Sequence, residues 1–212
     1  MTTTRRKRLT AEARRSAILD AALEVFAKRG YYASSIDDIA RTAGISKALI
    51  YEHFNSKQAL HADLIDVHAS ELFRRIGDAV EAVDVMSGAE RLEAGLDAYF
   101  AFVEEHRDAW RILTRQALDP ESAEALDRIT VQVTAVVAAL MAQDPGAQIG
   151  DESPEERDRR LELFAQMLVG AVQSIANWWA ADRRDIPRAW IRQNAMEFAW
   201  LGLERLGQGT RW

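Results

Sequence analysis

At three places this chain sets a serine three residues ahead of an acid, in Ser35-Ile-Asp-Asp38, Ser87-Gly-Ala-Glu90 and Ser153-Pro-Glu-Glu156. Such a serine accepts a hydrogen bond from the N–H of the acid, whose carboxylate reaches back to the serine's own N–H, satisfying donors that the start of a helix leaves open. In the third case Pro154 takes the first helical position, where a missing N–H is no loss. Thr10, Ser46, Ser56 and Asp119 offer single caps, and Gly30, Gly44 and Gly207 stand as stops. No stretch alternates polar and apolar residues with the period that a half-buried strand requires. The fold class expected is all-α, with about nine helices, three short ones first and longer ones after.

The helices expected are one from Thr10 to Gly30, a short one from Ser35 to Gly44, another from Ser46, and one from Ser56 to about residue 80. There follow one from Ser87 to about His106, a shorter one holding Trp110 and Leu113, and one from Pro120 to about Met141. Helices over about 154–181 and 187–206 end the chain, and "QDPGAQIGDE" (143–152) is the one real loop. No internal repeat is present.

With 212 residues, the chain has room for one large domain or two small ones. It has no cysteine, which excludes disulfides, thiol catalysis and cysteine-held metals, and suits a reducing compartment. No apolar run approaches the roughly 18 residues needed to span a bilayer. The basic start "MTTTRRKRLT" has no apolar stretch behind it and is not a signal peptide. A soluble, cytoplasmic protein without membrane contact is expected. His61 and His68 are seven apart, on one helical face, and His106 stands alone. No metal-ligand spacing, nucleophile–base pairing or phosphate loop is present, so no metal, cofactor or enzymatic activity is expected.

The net charge of −6 hides an uneven distribution: residues 1–60 carry +5 and the remainder −11, with all four lysines (Lys7, Lys28, Lys47, Lys57) in the first part. Such asymmetry points to a polyanion-binding end. Within that end, "TAGIS" joins two short helices as in a helix-turn-helix, whose second helix enters the major groove of DNA. Ile39, Ala40, Ile45 and Ile50 can form the small core of the pair, with Phe54 closing it. At 100° per residue, Lys47, Ala48, Tyr51 and Glu52 then lie on the other side, as an exposed reading face. Lys47 can donate to guanine or to phosphate, Tyr51 to phosphate, and Ala48 allows close approach. Two placements are open for Leu49, core filling or contact with a thymine methyl, and two for Glu52, a bond from cytosine N4 or a seat at the rim. The tail Arg5–Arg8 either enters a minor groove or adds non-specific affinity, the second being the plainer reading.

The segments "AALEVFAKRGY", "SSIDDIARTAG" and "SKALIYEHFNSKQAL", in this order and spacing, resemble the TetR family of transcriptional regulators over residues 11–60. The resemblance implies that Tyr51 and His53 contact the DNA backbone, and that Lys47, Ala48 and Leu49 face the bases from a helix opened by Ser46. It implies further that Ser35 and Lys57 bind phosphate at the starts of their helices, where free N–H groups and the helix dipole favour anions. The family often has threonine at position 49 and an aromatic or polar residue at 52, where this chain has leucine and glutamate. A larger helical domain that dimerises and holds a pocket for a small effector is implied for the rest of the chain.

The organisation expected is thus a basic arm (1–9), a three-helix DNA-binding domain (10–56) and a ligand-binding and dimerisation domain (57–212). "LELFAQMLVGAVQSIANWWA" is apolar nearly all round and must be covered on more than one side, as in a four-helix bundle of two subunits. Gln166, Gly170, Gln173 and Asn177 form one stripe on it, which meets either a partner chain or a polar ligand; the interface is the favoured reading, with Phe198 and Leu201 from the last helix. Pocket candidates are Tyr99, Phe102, Trp110, Ile129, Val133, Phe164 and Trp178. The function expected is that of a homodimeric, sequence-specific regulator on a palindromic double-stranded DNA operator, a repressor released by a small-molecule effector. The alternative is a DNA-binding protein of the same fold, without a small ligand, under the control of a protein partner or architectural in role.

Overall fold

The computed structural model describes residues 10–82, 87–107, 110, 120–143, 152–183 and 185–207. Among them, every regular element is an α-helix: α1 (Ala11–Arg29), α2 (Ile36–Ala43), α3 (Lys47–Tyr51), α4 (Lys57–Glu81), α5 (Gly88–Glu105), α6 (Pro120–Ala142), α7 (Pro154–Asp182) and α8 (Arg188–Gly207). These are eight helices where about nine were expected. The short helix expected around Trp110 and Leu113 lies largely outside the described residues, of which Arg107 and Trp110 are helical. The arm 1–9 and nearly all of the loop 143–152 also lie outside the described residues.

Local chemistry sets the helix starts. Thr10, Ser46 and Ser56 accept from Ala13, Leu49 and Ala59 N–H at 3.2, 3.2 and 2.9 Å. The three serine–acid pairs form full capping boxes. Gly44 ends α2 with φ at +66°, a left-handed conformation that lets Ile45 N–H return to Ala40 O at 3.0 Å and turns the chain toward α3.

The first three helices and the start of α4 close around Ile18, Phe26, Ile39, Ile50 and Leu60, none of which exposes any surface. This core extends through Ile65 on α4 to Ala125, with Leu126 and Ile129 of α6 packed against it. A second core lies among α4, α5, α7 and α8, around Phe100 and Trp179, whose rings meet edge to face at 6.0 Å. Trp179 Nε1 donates to Ile186 O at 3.0 Å, and Arg107 lies 4.1 Å over its ring. Ion pairs from Arg188 and Arg192 to Glu93, Asp97 and Glu104 tie α8 to α5.

Helix α6 corrects one expectation. Over Ala123–Ala142 it is long and apolar enough, by length and composition, to cross a membrane. Thr130, Gln132 and Thr134 interrupt the apolar run, which hides it from a search for uninterrupted hydrophobic sequence. Its apolar side chains have a use within the protein, because one face of α6 lines the cavity described below.

Candidate nucleic-acid interface and cavity

The exposed side of α3 carries the residues singled out as readers. Ser46, Lys47, Ala48 and Tyr51 are exposed, whereas Leu49 and His53 are half-buried. Ile50 beneath them is fully buried and Phe54 nearly so, which fixes the helix on the head. Lys47 Nζ lies 2.8 Å from Asp37 Oδ2 on α2, and this hydrogen bond, with the charge behind it, raises the lysine's pKa. Any other partner for Lys47 would have to displace that carboxylate or take another N–H of the same ammonium. Asp37 was missed from sequence, and only the angle between the two helices reveals it.

Ser35 and Lys57 sit at helix starts, both already engaged. Ser35 Oγ donates to Asp38 Oδ2 at 2.7 Å and accepts from Asp38 N–H at 3.2 Å. The hydrogen bond from Ser35, with the charges of Arg29 and Arg41, holds the Asp38 carboxyl below the usual range. Lys57 Nζ donates to Tyr31 O at 2.9 Å and Ser34 O at 3.0 Å, and lies 4.2 Å from the centre of the Tyr31 ring. It thereby fixes the loop between α1 and α2, a structural part that the resemblance does not suggest.

In the second half of the chain, α4, α5, α6 and α7 enclose a cavity of about 470 Å³. Six of the seven pocket candidates line it: Tyr99, Phe102, Trp110, Ile129, Val133 and Phe164. Trp178 does not. It is 46% exposed, with Arg183 against its ring, while its neighbour Trp179 is buried. Sequence reading missed the α4 wall, where Ile65, His68, Leu72, Ile76 and Val80 recur at helical spacing, and the two arginines Arg91 and Arg160. The i, i+3, i+4 recurrence on α4 was the signal that could have found the wall.

The polar stripe on α7 divides. Gln166 Oε1 accepts from Thr134 Oγ1 at 3.1 Å, Gln173 lines the cavity, and Asn177 Oδ1 accepts from Trp110 Nε1 at 2.9 Å. Three of the four stripe residues thus have a bond or a cavity to face within the subunit, while Gln166 and Gly170 are exposed. The exposed apolar face lies one row over, through Leu163, Met167, Gly170 and Trp178, beside Trp190 and Phe198 on α8. The side chain of Leu201 lies outside the described residues.

The histidines differ from expectation. His106 does not stand alone: its ring is 5.5 Å from that of His68 and 4.6 Å from that of Phe102, and its Nε2 is 3.7 Å from Glu71. Burial, with help from His106, lowers the pKa of His68. His61 is fully buried in the head between Phe26 and Tyr31. No group of three metal-ligating side chains exists among the described residues. Burial pushes the Tyr99 hydroxyl well above the usual phenol range, so it is neutral.

Comparison with known proteins fits this division. Residues 18–64 match the family described as bacterial regulatory proteins, tetR family, and residues 89–202 match the tetracyclin repressor-like C-terminal domain. The chain is 29% identical over 204 residues to the HTH-type transcriptional activator FasR of Mycolicibacterium smegmatis, covering 95% of this chain and 88% of that one. It is 30% identical over 153 residues to an uncharacterized HTH-type transcriptional regulator of Mycobacterium tuberculosis, covering 71% of this chain and 70% of that one. A TetR-like transcriptional regulator from Rhodococcus sp. RHA1 superposes with a TM-score of 0.73 at 28% identity, covering 93% of this chain and 99% of that one. A regulator from Pseudomonas aeruginosa PAO1 shares the fold with a TM-score of 0.81 at 19% identity, over 98% and 99% of the two chains. The chain belongs to the TetR family of DNA-binding, helix-turn-helix transcriptional regulators.

Proposed function

We propose that the protein is a homodimeric regulator that binds a palindromic operator and leaves it when a small molecule enters the cavity, acting as a repressor in the cytoplasm. Residues 1–9 form a basic arm and 10–56 the DNA-binding head. Residues 57–212 form the ligand-binding and dimerising body, whose α4 lends Leu60, Leu64 and Ile65 to the head's core. In this reading Lys47, Ala48 and Leu49 face bases; Ser46 opens their helix, and Ser35, Tyr51, His53 and Lys57 hold phosphates. The exposed apolar face on α7 and α8 supports dimerisation through those helices, because a two-fold pairing buries the same patch on both subunits.

The observation that carries the proposal is the double employment of α4. Its first turns complete the core under the reading helix, and from Ile65 onward the same helix walls the cavity. A ligand that fits one position of α4 better than another therefore changes the spacing of two heads on one duplex, and its differential affinity sets the extent of the shift. By reciprocity, operator DNA weakens effector binding by the same factor.

Selection of bound sequences from random duplex DNA tests this. A recovered palindrome with half-sites about one helical turn or more apart is the expected result. No enrichment at low ionic strength, or a single subunit in sedimentation, overturns it. On the selected site, Tyr51→Phe should weaken binding to all sequences alike, and Lys47→Ala should chiefly change the preference among operators.

A second reading concerns the sign of control. FasR, similar over nearly the whole chain, is named an activator. In that case the effector or its absence favours a bound form that promotes transcription. A reporter gene driven from the selected operator, with and without the protein, separates the two.

A further inference from the structure

The head itself carries almost no net charge. Between residues 10 and 60 it holds seven Lys/Arg against six Asp/Glu, a balance of +1. Several of these cations serve the fold: Arg15 on α1 meets Asp63 on α4 at 2.7 Å, and Arg29 on α1 meets Asp38 on α2 at 2.9 Å. The pair of Lys47 with Asp37 differs from them in place, because Lys47 opens the exposed face of α3.

Asp37 is the second residue of α2 and takes no part in the capping box, which Ser35 forms with Asp38. The unbonded N–H groups of that first turn favour a negative charge there. Lys47 Nζ stands 2.8 Å from Asp37 Oδ2, and the two side chains remain 49% and 59% exposed. An exposed pair of this kind is held together by a factor of only about one to five. One N–H of the ammonium is used and two are left, while the carboxylate keeps lone pairs with which to accept. Outward, the pair therefore presents two donors beside an acceptor.

The major-groove edge of a G·C pair is the complement of that pattern. It shows in order the acceptors N7 and O6 of guanine and the amino donor N4 of cytosine. O6 and N4 are themselves joined by an N–H···O bond and so stand about 2.7–3.2 Å apart. Lys47 Nζ and Asp37 Oδ2 have the same spacing. Laid on this edge, the ammonium meets N7 and O6 while the carboxylate accepts from N4. On an A·T pair, with the carboxylate at adenine N6 and the ammonium at thymine O4, one donor of the ammonium is turned toward the thymine methyl.

We propose that Asp37 is a base-reading residue, which with Lys47 recognises one G·C pair, in one orientation, in each half-site of the operator. The proposal rests on the reading of α3 as the helix that enters the groove. It also gives the acid a second effect. Away from such a base pair the carboxylate faces only phosphates and repels them, so Asp37 lowers affinity for unrelated DNA while it selects the operator.

The test uses the full-length protein, unmodified and as Asp37→Ala, Asp37→Asn and Lys47→Ala, in selection from random duplex DNA and in anisotropy titrations. The unmodified protein should recover a palindrome with an oriented G·C pair in each half-site. Inverting that pair in one half-site, or replacing its cytosine by 2-pyrimidinone, which lacks the amino group, should weaken binding roughly five- to a hundredfold. Asp37→Ala should bind both pyrimidines alike and hold random duplex more tightly. Asp37→Asn, whose amide both donates and accepts, should tolerate the inverted pair. The pyrimidine comparison on the unmodified protein decides the matter if a variant does not fold. Indifference of the unmodified protein to the amino group, or one common factor on all sequences in Asp37→Ala while Lys47→Ala shifts the preference, overturns the proposal and leaves Lys47 as a reader. Unchanged preference in both alanine variants overturns the placement of Lys47 against bases as well. Failure to recover any palindrome overturns the proposal together with the regulator reading.

Discussion

Phe26 on α1 and Phe164 on α7 both point inward from a helix, into different surroundings. Phe26 exposes no surface and is enclosed by Tyr31 and His61 at ring-centre distances of 5.5 and 5.4 Å. Phe164 is half-buried and faces open volume in the cavity, with Arg160 at 5.6 Å from its ring. The head is filled, so the reading helix is held in one position. The body keeps a void, and forgoes the dispersion contacts that would fill it, where a ligand can supply them. Close packing beneath the exposed face of α3 and incomplete packing among α4, α5, α6 and α7 are two uses of one helical vocabulary.

The largest expected effect separates the two regions directly. Phe26→Ala should cost about 3–5 kcal/mol, because the space it leaves is surrounded on all sides. Phe164→Ala should cost less, roughly 1.5–3 kcal/mol, since it enlarges a void that already exists and forfeits chiefly the transfer of the ring. Urea unfolding at one fixed protomer concentration measures both. Equal losses would mean that the cavity closes in solution and that the contrast between head and body is false.

Next comes Lys57, where head and body join. Loss of its two bonds to Tyr31 O and Ser34 O leaves partly buried carbonyls without a donor, and Lys57→Ala should cost about 1–3 kcal/mol. The same substitution should flatten the salt dependence of DNA binding by roughly one unit, if the ammonium also meets a phosphate. A stability loss with an unchanged slope would assign Lys57 to the loop alone.

These cases show what was legible in the sequence. Helix starts were, because a cap is a contact between residues three apart: Ser87 and Glu90 find each other whatever the rest of the chain does. The core of the helix pair, Ile39 with Ile50 and Phe54, followed from the 100° turn per residue. The choice between Trp178 and Trp179 did not, because the helix is apolar nearly all round; Phe100 and Ile186 decide it from elsewhere in the chain. The amide stripe was legible only as a row of polar groups on one side of the helix. Gln166, exposed, and Asn177, half-buried, bond Thr134 and Trp110 of the same chain, at sequence separations that no local pattern encodes. Arg91 and Arg160 were not singled out from sequence, since only the fold brings both to the cavity wall.

A smaller effect belongs to the head's local chemistry. Ser35→Ala removes the acceptor for Asp38 N–H and the donor to its carboxylate, and should cost about 1 kcal/mol. Thermal unfolding reads the loss, and DNA affinity at matched folded fraction reads any phosphate contact separately. If affinity is unchanged once stability is allowed for, Ser35 serves the fold of the head and not its grip on DNA.

The smallest effect is the most telling for the body. Gly95 lies inside α5 on the cavity wall, and a methyl group there would meet Ile76 and Val80 side chains at 3.8 Å, an ordinary contact. Alanine is favoured over glycine within a helix by roughly 0.5–1 kcal/mol, because it has less backbone freedom to lose on folding. Gly95→Ala should therefore raise stability by about that amount and move the urea midpoint upward with no change in slope. The same methyl takes volume from the cavity, so binding of a ligand that fills it should weaken as the fold gains. In the filled head no residue added to a wall could do both, because extra volume there forces its neighbours apart. A variant that is more stable and binds its effector as before would show that the ligand leaves the wall at Gly95 free and makes its contacts elsewhere in the cavity.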